Sequence, residues 1–245
     1  MKKNLQQTWD EMSGLYQETY GQAVLLYEEE FHVKLLGLLA GKRLLDLGCG
    51  GGQSSVLFAR LGARVTGVDF STRQLESATA LARREGLEIE FIPADLEAGL
   101  SFLEDAAFDL VNSSHVFHYL QDLNRCLAEI YRVLKPGGKL VFSVSHPFNH
   151  LLNLENRDWV VRRGYFNGAE YRWDWELAGG KKQEMSFKIK TLEDYFQGLK
   201  QAGFRVEDLL EPRVALAADS PWLGEGENPQ QLLPGALIWG AKKSA

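Results

Sequence analysis

The sequence predicts an α/β protein, a mostly parallel sheet with helices wound on both faces. Three observations carry this. Apolar runs of strand length alternate with segments of helical periodicity from residue 43 to residue 145. The first run, Leu44-Leu45-Asp46-Leu47, passes straight into Gly48-Cys49-Gly50-Gly51-Gly52 and then a helix beginning at Gln53. The second, Val65-Thr66-Gly67-Val68, ends in Asp69. A buried strand, a glycine turn that lets backbone approach a ligand, and an acid at the next strand end together describe a nucleoside cofactor site.

Taken in order, residues 4 to 40 read as helices, with Leu25, Leu26, Phe31, Leu35, Leu36 and Leu39 near helical spacing. Then come a strand over 43–47, a helix over 53–61, a strand over 64–69, a helix over 72–84 and a strand over 87–93. Ser71 with Gln74 forms a capping-box pattern, and Gly86 suits that helix's end. Phe108 to Ser113 reads as a fourth strand, and Leu123, Leu127, Ile130 and Leu134 mark one face of the next helix. Lys135-Pro136-Gly137-Gly138 stops it, because proline cannot continue a helix, and a fifth strand runs from Lys139 to Ser145.

From Pro147 to about Thr191 the alternation lapses and aromatics crowd in: Phe148, Trp159, Tyr165, Phe166, Tyr171, Trp173, Trp175 and Phe187. Tyr171-Arg172-Trp173-Asp174-Trp175 alternates as a strand with one apolar face. This stretch reads as an insertion folding over the open site. A helix over 192–203, a strand over 204–210, a loop rich in Pro and Gly and a strand near 236–241 complete the chain. No linker or internal repeat divides it, so the expected organisation is one domain over 1–245: N-terminal helices over the cofactor (1–40), a cofactor-binding core (41–146), a substrate-side cap (147–191) and closing elements (192–245).

The 245 residues are 45% apolar and 24% charged, ordinary for a globular protein with a sizeable core. Met1 to Gln7 lacks the apolar stretch of a signal peptide, and no segment has the length needed to cross a bilayer, so a cytoplasmic protein is expected. Cys49 and Cys126 make neither a disulfide framework nor a metal cluster, and no other metal-ligand spacing stands out. The net charge of −6 gives no footprint for a phosphate backbone, and Arg162-Arg163 with Lys181-Lys182 are too few to form a basic stripe. A small-molecule substrate is favoured over nucleic acid. The oligomeric state is not encoded in any of these patterns.

The loop departs from the dinucleotide fingerprint: counting G-x-G-x-x-G from Gly48 puts Gln53 where the third glycine should stand. Asp46, just before the glycines, would repel a pyrophosphate and suits a ligand with positive charge, such as an ammonium beside a sulfonium. Residues 44–52, taken with Asp69, resemble motif I and the acidic strand end of the class I S-adenosylmethionine-dependent methyltransferases. The resemblance extends to Trp9-Asp10-Glu11-Met12-Ser13-Gly14-Leu15-Tyr16 and to Leu134-Lys135-Pro136-Gly137-Gly138-Lys139-Leu140. It implies a Rossmann-like sheet of seven strands, the last antiparallel, with S-adenosylmethionine as cofactor.

The same resemblance places the site residues at strand carboxyl ends. Asp46, Gly48, Cys49, Gly50 and Gln53 would surround the methionine portion, with Tyr16 closing over it. Asp69 would take the ribose hydroxyls, with Phe70 and Ser71 beside it and Phe70 against the adenine. Asp95 would take the adenine amine while Leu96 covers the ring, and Asn112 and Ser113 would border the methyl sulfonium. Because the cofactor supplies the reactivity, the protein chiefly aligns the reactants, and a base is needed only for an acceptor that must lose a proton. His115, His118 and His146 stand where such a base could work, His146 foremost because the insertion begins after it. A nicotinamide-dependent oxidoreductase and a cofactor-binding protein acting on a partner without turnover are the rival readings.

Overall fold

A computed structural model describes residues 5–20, 28–155, 158–166, 168–177, 180–212 and 234–244. Seven strands form the central sheet: β1 (Arg43–Leu47), β2 (Arg64–Asp69), β3 (Glu90–Pro93), β4 (Phe108–Ser114), β5 (Leu134–Ser145), β10 (Phe204–Leu210) and β11 (Ala236–Lys243), in the order β10-β11-β5-β4-β1-β2-β3. The pairings β3-β2-β1-β4-β5 are parallel, and β11 runs antiparallel to both β5 and β10. The strand order reverses between β1 and β4, and such a switch point opens a crevice at the strands' carboxyl ends.

The core follows from strand periodicity, since neighbouring residues on a strand point to opposite faces. Leu45, Val111 and Phe142 face a core that includes Phe117, Leu127, Ile130, Leu199 and Trp239. Their neighbours Leu44, Leu110 and Val141 face the other side, packing with Leu36, Leu39 and Phe58. Both faces are dry, which is why these strands read as continuous apolar runs. Each leucine so buried contributes about 2 kcal/mol.

The helices are α1 (Leu5–Tyr20), α2 (Glu28–Leu36), α3 (Gln53–Arg60), α4 (Thr72–Arg84), α5 (Leu123–Val133) and α6 (Leu192–Gln201). The expected N-terminal helical segment therefore contains two helices, with Leu25 and Leu26 outside the described residues. Ser71 caps α4 by accepting from Gln74 N at 3.2 Å, but only half of the capping box forms. The Gln74 side chain instead accepts a hydrogen bond from Gln17 on α1 at 2.7 Å. At α6 the reciprocal box is complete, between Thr191 and Asp194. Strand β3 begins at Glu90, not at residue 87.

The stretch Lys135-Pro136-Gly137-Gly138 does not stand outside the sheet as expected. β5 starts at Leu134, opposite Phe108, and the pairing slips so that Leu110 meets Lys139. The extra residues bulge out of the ladder, which accommodates a proline that cannot donate and a Gly137 with φ of 75°.

The insertion contains a short 3-10 turn (Pro147–Leu151) and two hairpins, β6 (Leu152–Glu155) with β7 (Asp158–Val161), and β8 (Glu170–Leu177) with β9 (Lys181–Lys188). On β8, Tyr171, Trp173 and Trp175 are half-buried while Arg172, Asp174 and Glu176 are exposed, the alternation that the sequence announced. The Trp159 side chain and the loop rich in Pro and Gly over 213–233 lie outside the described residues. No described helix is long and apolar enough to cross a membrane.

Candidate functional site

The glycine loop turns because its glycines adopt left-handed backbone: φ is 67° at Gly48, 51° at Gly50 and 81° at Gly52. A Cβ on Gly48 would lie 2.2 Å from a Val116 methyl, and one on Gly52 would lie 2.7 Å from Ala78. At Gly50 a Cβ would meet nothing within 4 Å. Two glycines thus serve packing, while the one between them faces open space, a cradle for a ligand.

Gly48, Cys49 and Gly50 spend their N–H groups internally. Gly48 N and Cys49 N both donate to Val68 O, at 2.7 and 3.0 Å, and Gly50 N donates to Asp69 Oδ2 at 2.9 Å. With these bonds Gly48 and Gly50 fix the loop to β2 and hold Asp69. Ser71 N holds the other Asp69 oxygen at 2.9 Å. Each carboxylate oxygen still has acceptor capacity, so Asp69 is oriented rather than consumed.

Asp46 lies deeper, 2% exposed. Its oxygens accept from Ser55 Oγ at 2.6 Å and Asn112 Nδ2 at 2.8 Å. Asn112 Oδ1 lies 2.6 Å from His32 Nδ1 on α2. Ser113 Oγ donates to Leu47 O at 2.9 Å. Asn112 and Ser113 thus turn their side chains into the fold, tying β4 to β1. Ser55 and His32 escaped the sequence reading because nothing local marks them: the packing of α3 on β1 brings Ser55 to Asp46, and α2, packed on β5 and β11, reaches it through Asn112.

Burial raises the Asp46 carboxyl to about 6, against hydrogen bonds that lower it, and raises Asp69 as well. Glu29 of α2, bonded by Ser54 Oγ at 2.6 Å, is lifted by burial to about 7. Three carboxyls held above their ordinary range near one loop form an environment that a cationic ligand would relieve. The Cys49 thiol, also buried, is pushed well up and is not a nucleophile at neutral pH.

α1 lies across these strand ends. Gln6 Nε2 donates to Phe70 O at 2.8 Å, Ser71 Oγ donates to Asp10 Oδ1 at 2.6 Å, and the Gln53 side chain donates to Gln17. Tyr16 packs edge-on against Trp9 and Trp175, each with ring centroids 5.2 Å away, so α1 and β8 pack against each other through these rings. On the far side, Asp95 is exposed and caps a 3-10 turn (Leu96–Ala98) by accepting from Glu97 N at 2.9 Å, while Leu96 joins the main core.

The three histidines separate. His146 is fully buried; its Nδ1 accepts from Phe148 N at 3.3 Å, which leaves Nε2 to donate to Glu211 Oε1 at 3.0 Å. Both ring nitrogens are engaged in holding the turn after β5. His115 follows β4 with φ of 56°, an uncommon conformation for a residue with a side chain, and its N donates to Ser143 O. Its ring lies 6.2 Å from that of His118. His118 is 5% exposed, and no described residue meets its Nδ1. His150, which the sequence reading passed over, is 8% exposed with its Nε2 likewise unmet. Among the described residues no cluster of three or more His, Cys, Asp or Glu side chains could hold a metal.

Comparison with known proteins bears on this arrangement. The family model "Methyltransferase domain" matches residues 45–142, from β1 through most of β5. An uncharacterised protein of Haemophilus influenzae is 30% identical over 221 residues, 84% of this chain and 85% of its own length. The ubiquinone biosynthesis O-methyltransferase of Idiomarina loihiensis is 34% identical over 154 residues, 63% of this chain and 59% of its own length. Among solved structures, an S-adenosylmethionine-dependent methyltransferase from Mesorhizobium loti superposes with a TM-score of 0.70 at 27% identity, covering 90% of this chain and 99% of that one. The switch-point crevice, the glycine cradle and these likenesses agree: the chain belongs to the class I S-adenosylmethionine-dependent methyltransferases, and S-adenosylmethionine is its cofactor.

Proposed function

We propose that the chain methylates a small-molecule acceptor, with α1 and the β8–β9 hairpin closing over the cofactor. The observation that carries this is an aromatic contact: Trp9 and Tyr16 of α1 pack on Trp175 of β8, joining two separate parts of the chain beside the β2 end to which α1 is bonded through Phe70 and Ser71. The likeness to ubiquinone biosynthesis O-methyltransferases supports a small acceptor in the same direction.

When bound, S-adenosylmethionine supplies a methyl carbon on a sulfonium leaving group. Asp69, fixed by Gly50 N and Ser71 N, would receive the ribose hydroxyls, and Gly50 would leave room beside it. Asp46 and Glu29 would favour the cofactor's positive charge from beneath and beside the loop. Asp95, at the end of β3, would reach the adenine, with Phe70 and Leu96 against the ring. His118 is our candidate base, His115 shapes the border between cofactor and acceptor, and His146 is a positioning residue. We further propose a single cytoplasmic domain over 1–245, consistent with its two unpaired, buried cysteines.

The test is transfer of label. Purified protein with methyl-labelled cofactor is incubated with a cell extract divided by size. Label should enter the low-molecular-mass fraction; label confined to nucleic acid or protein would refute the reading, as would no transfer at all.

A further inference from the structure

Beyond the cofactor site, the segment after β4, the 3-10 turn over Pro147–Leu151 and the β8–β9 hairpin bring together a set of side chains that cofactor binding does not use. The ring of Phe187 is its centre. His118 lies 4.7 Å from it on one side and His150 4.9 Å on another, measured between ring centroids. Tyr119 packs 4.3 Å from His118, Tyr171 packs 4.5 Å from His150, and Tyr171 stacks on Trp173 at 5.3 Å and 22°. This is an aromatic wall with two imidazoles set into it.

Each imidazole keeps one buried nitrogen, His118 Nδ1 and His150 Nε2, that no described residue meets. Leaving such a group unmet is costly, so two in one cluster point to a polar partner that the described residues do not supply. The surrounding charge narrows its nature. Lys190 Nζ donates to the His118 carbonyl at 3.1 Å, and Arg163 donates to the His150 carbonyl at 3.2 Å while its guanidinium stacks 5.1 Å above Tyr171. The charges of Glu97, Asp194 and Lys188 also act on Lys190. With cations behind both imidazoles, the wall is poorly suited to an ammonium-bearing ligand and well suited to an oxygen carrying negative charge. Burial keeps both histidines in the neutral form, in which an imidazole can accept from a hydroxyl or donate to its anion.

We propose that His118 and His150 hold the methyl acceptor, and that the acceptor is a planar compound with an acidic hydroxyl, a phenol or enol, bonded by these two imidazoles against Phe187, Tyr171 and Trp173. The proposal rests on the methyltransferase reading of the adjoining site.

Three probes of one shape test it: 4-nitrophenol, 4-nitroanisole, which lacks the hydroxyl, and 4-nitrobenzylamine, which is cationic. Binding is followed by calorimetry on the full chain saturated with S-adenosylhomocysteine, and the visible absorbance of 4-nitrophenol reports its ionisation. The hydroxyl probe should bind at least tenfold more tightly than the ether, with its apparent pKa lowered on binding, and the amine should bind most weakly. His118→Phe and His150→Phe should each weaken 4-nitrophenol five- to tenfold and leave 4-nitroanisole unchanged. Lys190→Met should raise the bound probe's pKa, and it carries the comparison if a histidine variant does not fold. Equal binding of phenol and ether, preference for the amine, or indifference to all three substitutions overturns the proposal. S-adenosylhomocysteine affinity is measured on every variant: if it is absent even in the unaltered chain, the methyltransferase reading itself has failed, and if it persists without probe discrimination, only the acceptor assignment has.

Discussion

Around the glycine loop both oxygens of Asp46 and both of Asp69 already have protein donors, whereas across β4 the imidazoles of His118 and His150 each keep a buried nitrogen unmet by any described residue. One half of the site is organised before its ligand arrives, and the other is completed by it. Preorganisation suits a cofactor that never varies, because its binding then need not order the loop. An incomplete set of partners suits selection, since a ligand lacking the matching group leaves buried nitrogens unsatisfied.

The largest effect should come from the loop's packing. Gly48→Ala places a methyl against Val116 at a backbone angle that L-residues avoid, and should cost several kcal/mol, about 3 or more, seen as a fall in Tm on the order of 10 °C. A melt within a degree or two of the original would show that Val116 yields and that the loop is less organised than its hydrogen bonds suggest.

Next is Asp69→Ala. Loss of a carboxylate held by two backbone donors should weaken S-adenosylhomocysteine about 100-fold by calorimetry, equivalent to roughly 2.7 kcal/mol. Unchanged affinity would place the ribose elsewhere. Asn112→Ala should lower stability by about 2 kcal/mol in urea unfolding, because it strips a donor from buried Asp46 and a partner from His32.

A pH series sharpens the electrostatic half of the contrast. The free protein holds Glu29 near 7 and Asp46 near 6, so lowering the pH protonates both, while a cationic cofactor requires them charged. Affinity for S-adenosylmethionine should therefore fall about tenfold from pH 7.5 to 5.5, and Glu29→Gln should flatten the upper part of that fall. Affinity that rises on acidification would contradict this sign. The smallest effect is expected at His146: substitution by Ala removes a cap and should cost about 1 kcal/mol in denaturant unfolding, with cofactor affinity unchanged.

Much of the cofactor half was legible. Asp69 and the glycines announce themselves through short-range constraints, a strand ending in an acid and a turn that demands left-handed backbone. The roles within that half were less so, since Gly48 N could be assigned to Val68 O only once β2 was known to lie beside β1. Across β4 the sequence favoured His146, on its position after β5. Its partners, Phe148 N nearby and Glu211 far along the chain, became visible only in the tertiary structure. His150 looked like any residue of a turn until Phe187 brought it beside His118.

By itself, then, the sequence determined the alternation of strands and helices and the place of the glycine loop, because these follow from periodicity and from backbone angles that few residues tolerate, while the cofactor was implied by the resemblance carried by Asp46, the glycines and Asp69. The tertiary structure decided which polar groups are spent on one another and which remain for a ligand. That division depends on contacts between residues tens of positions apart, such as Asn112 with Asp46 and Gln17 with Gln74, and burial, which sets the charge of Glu29, Asp46 and His118, exists only once those contacts are made.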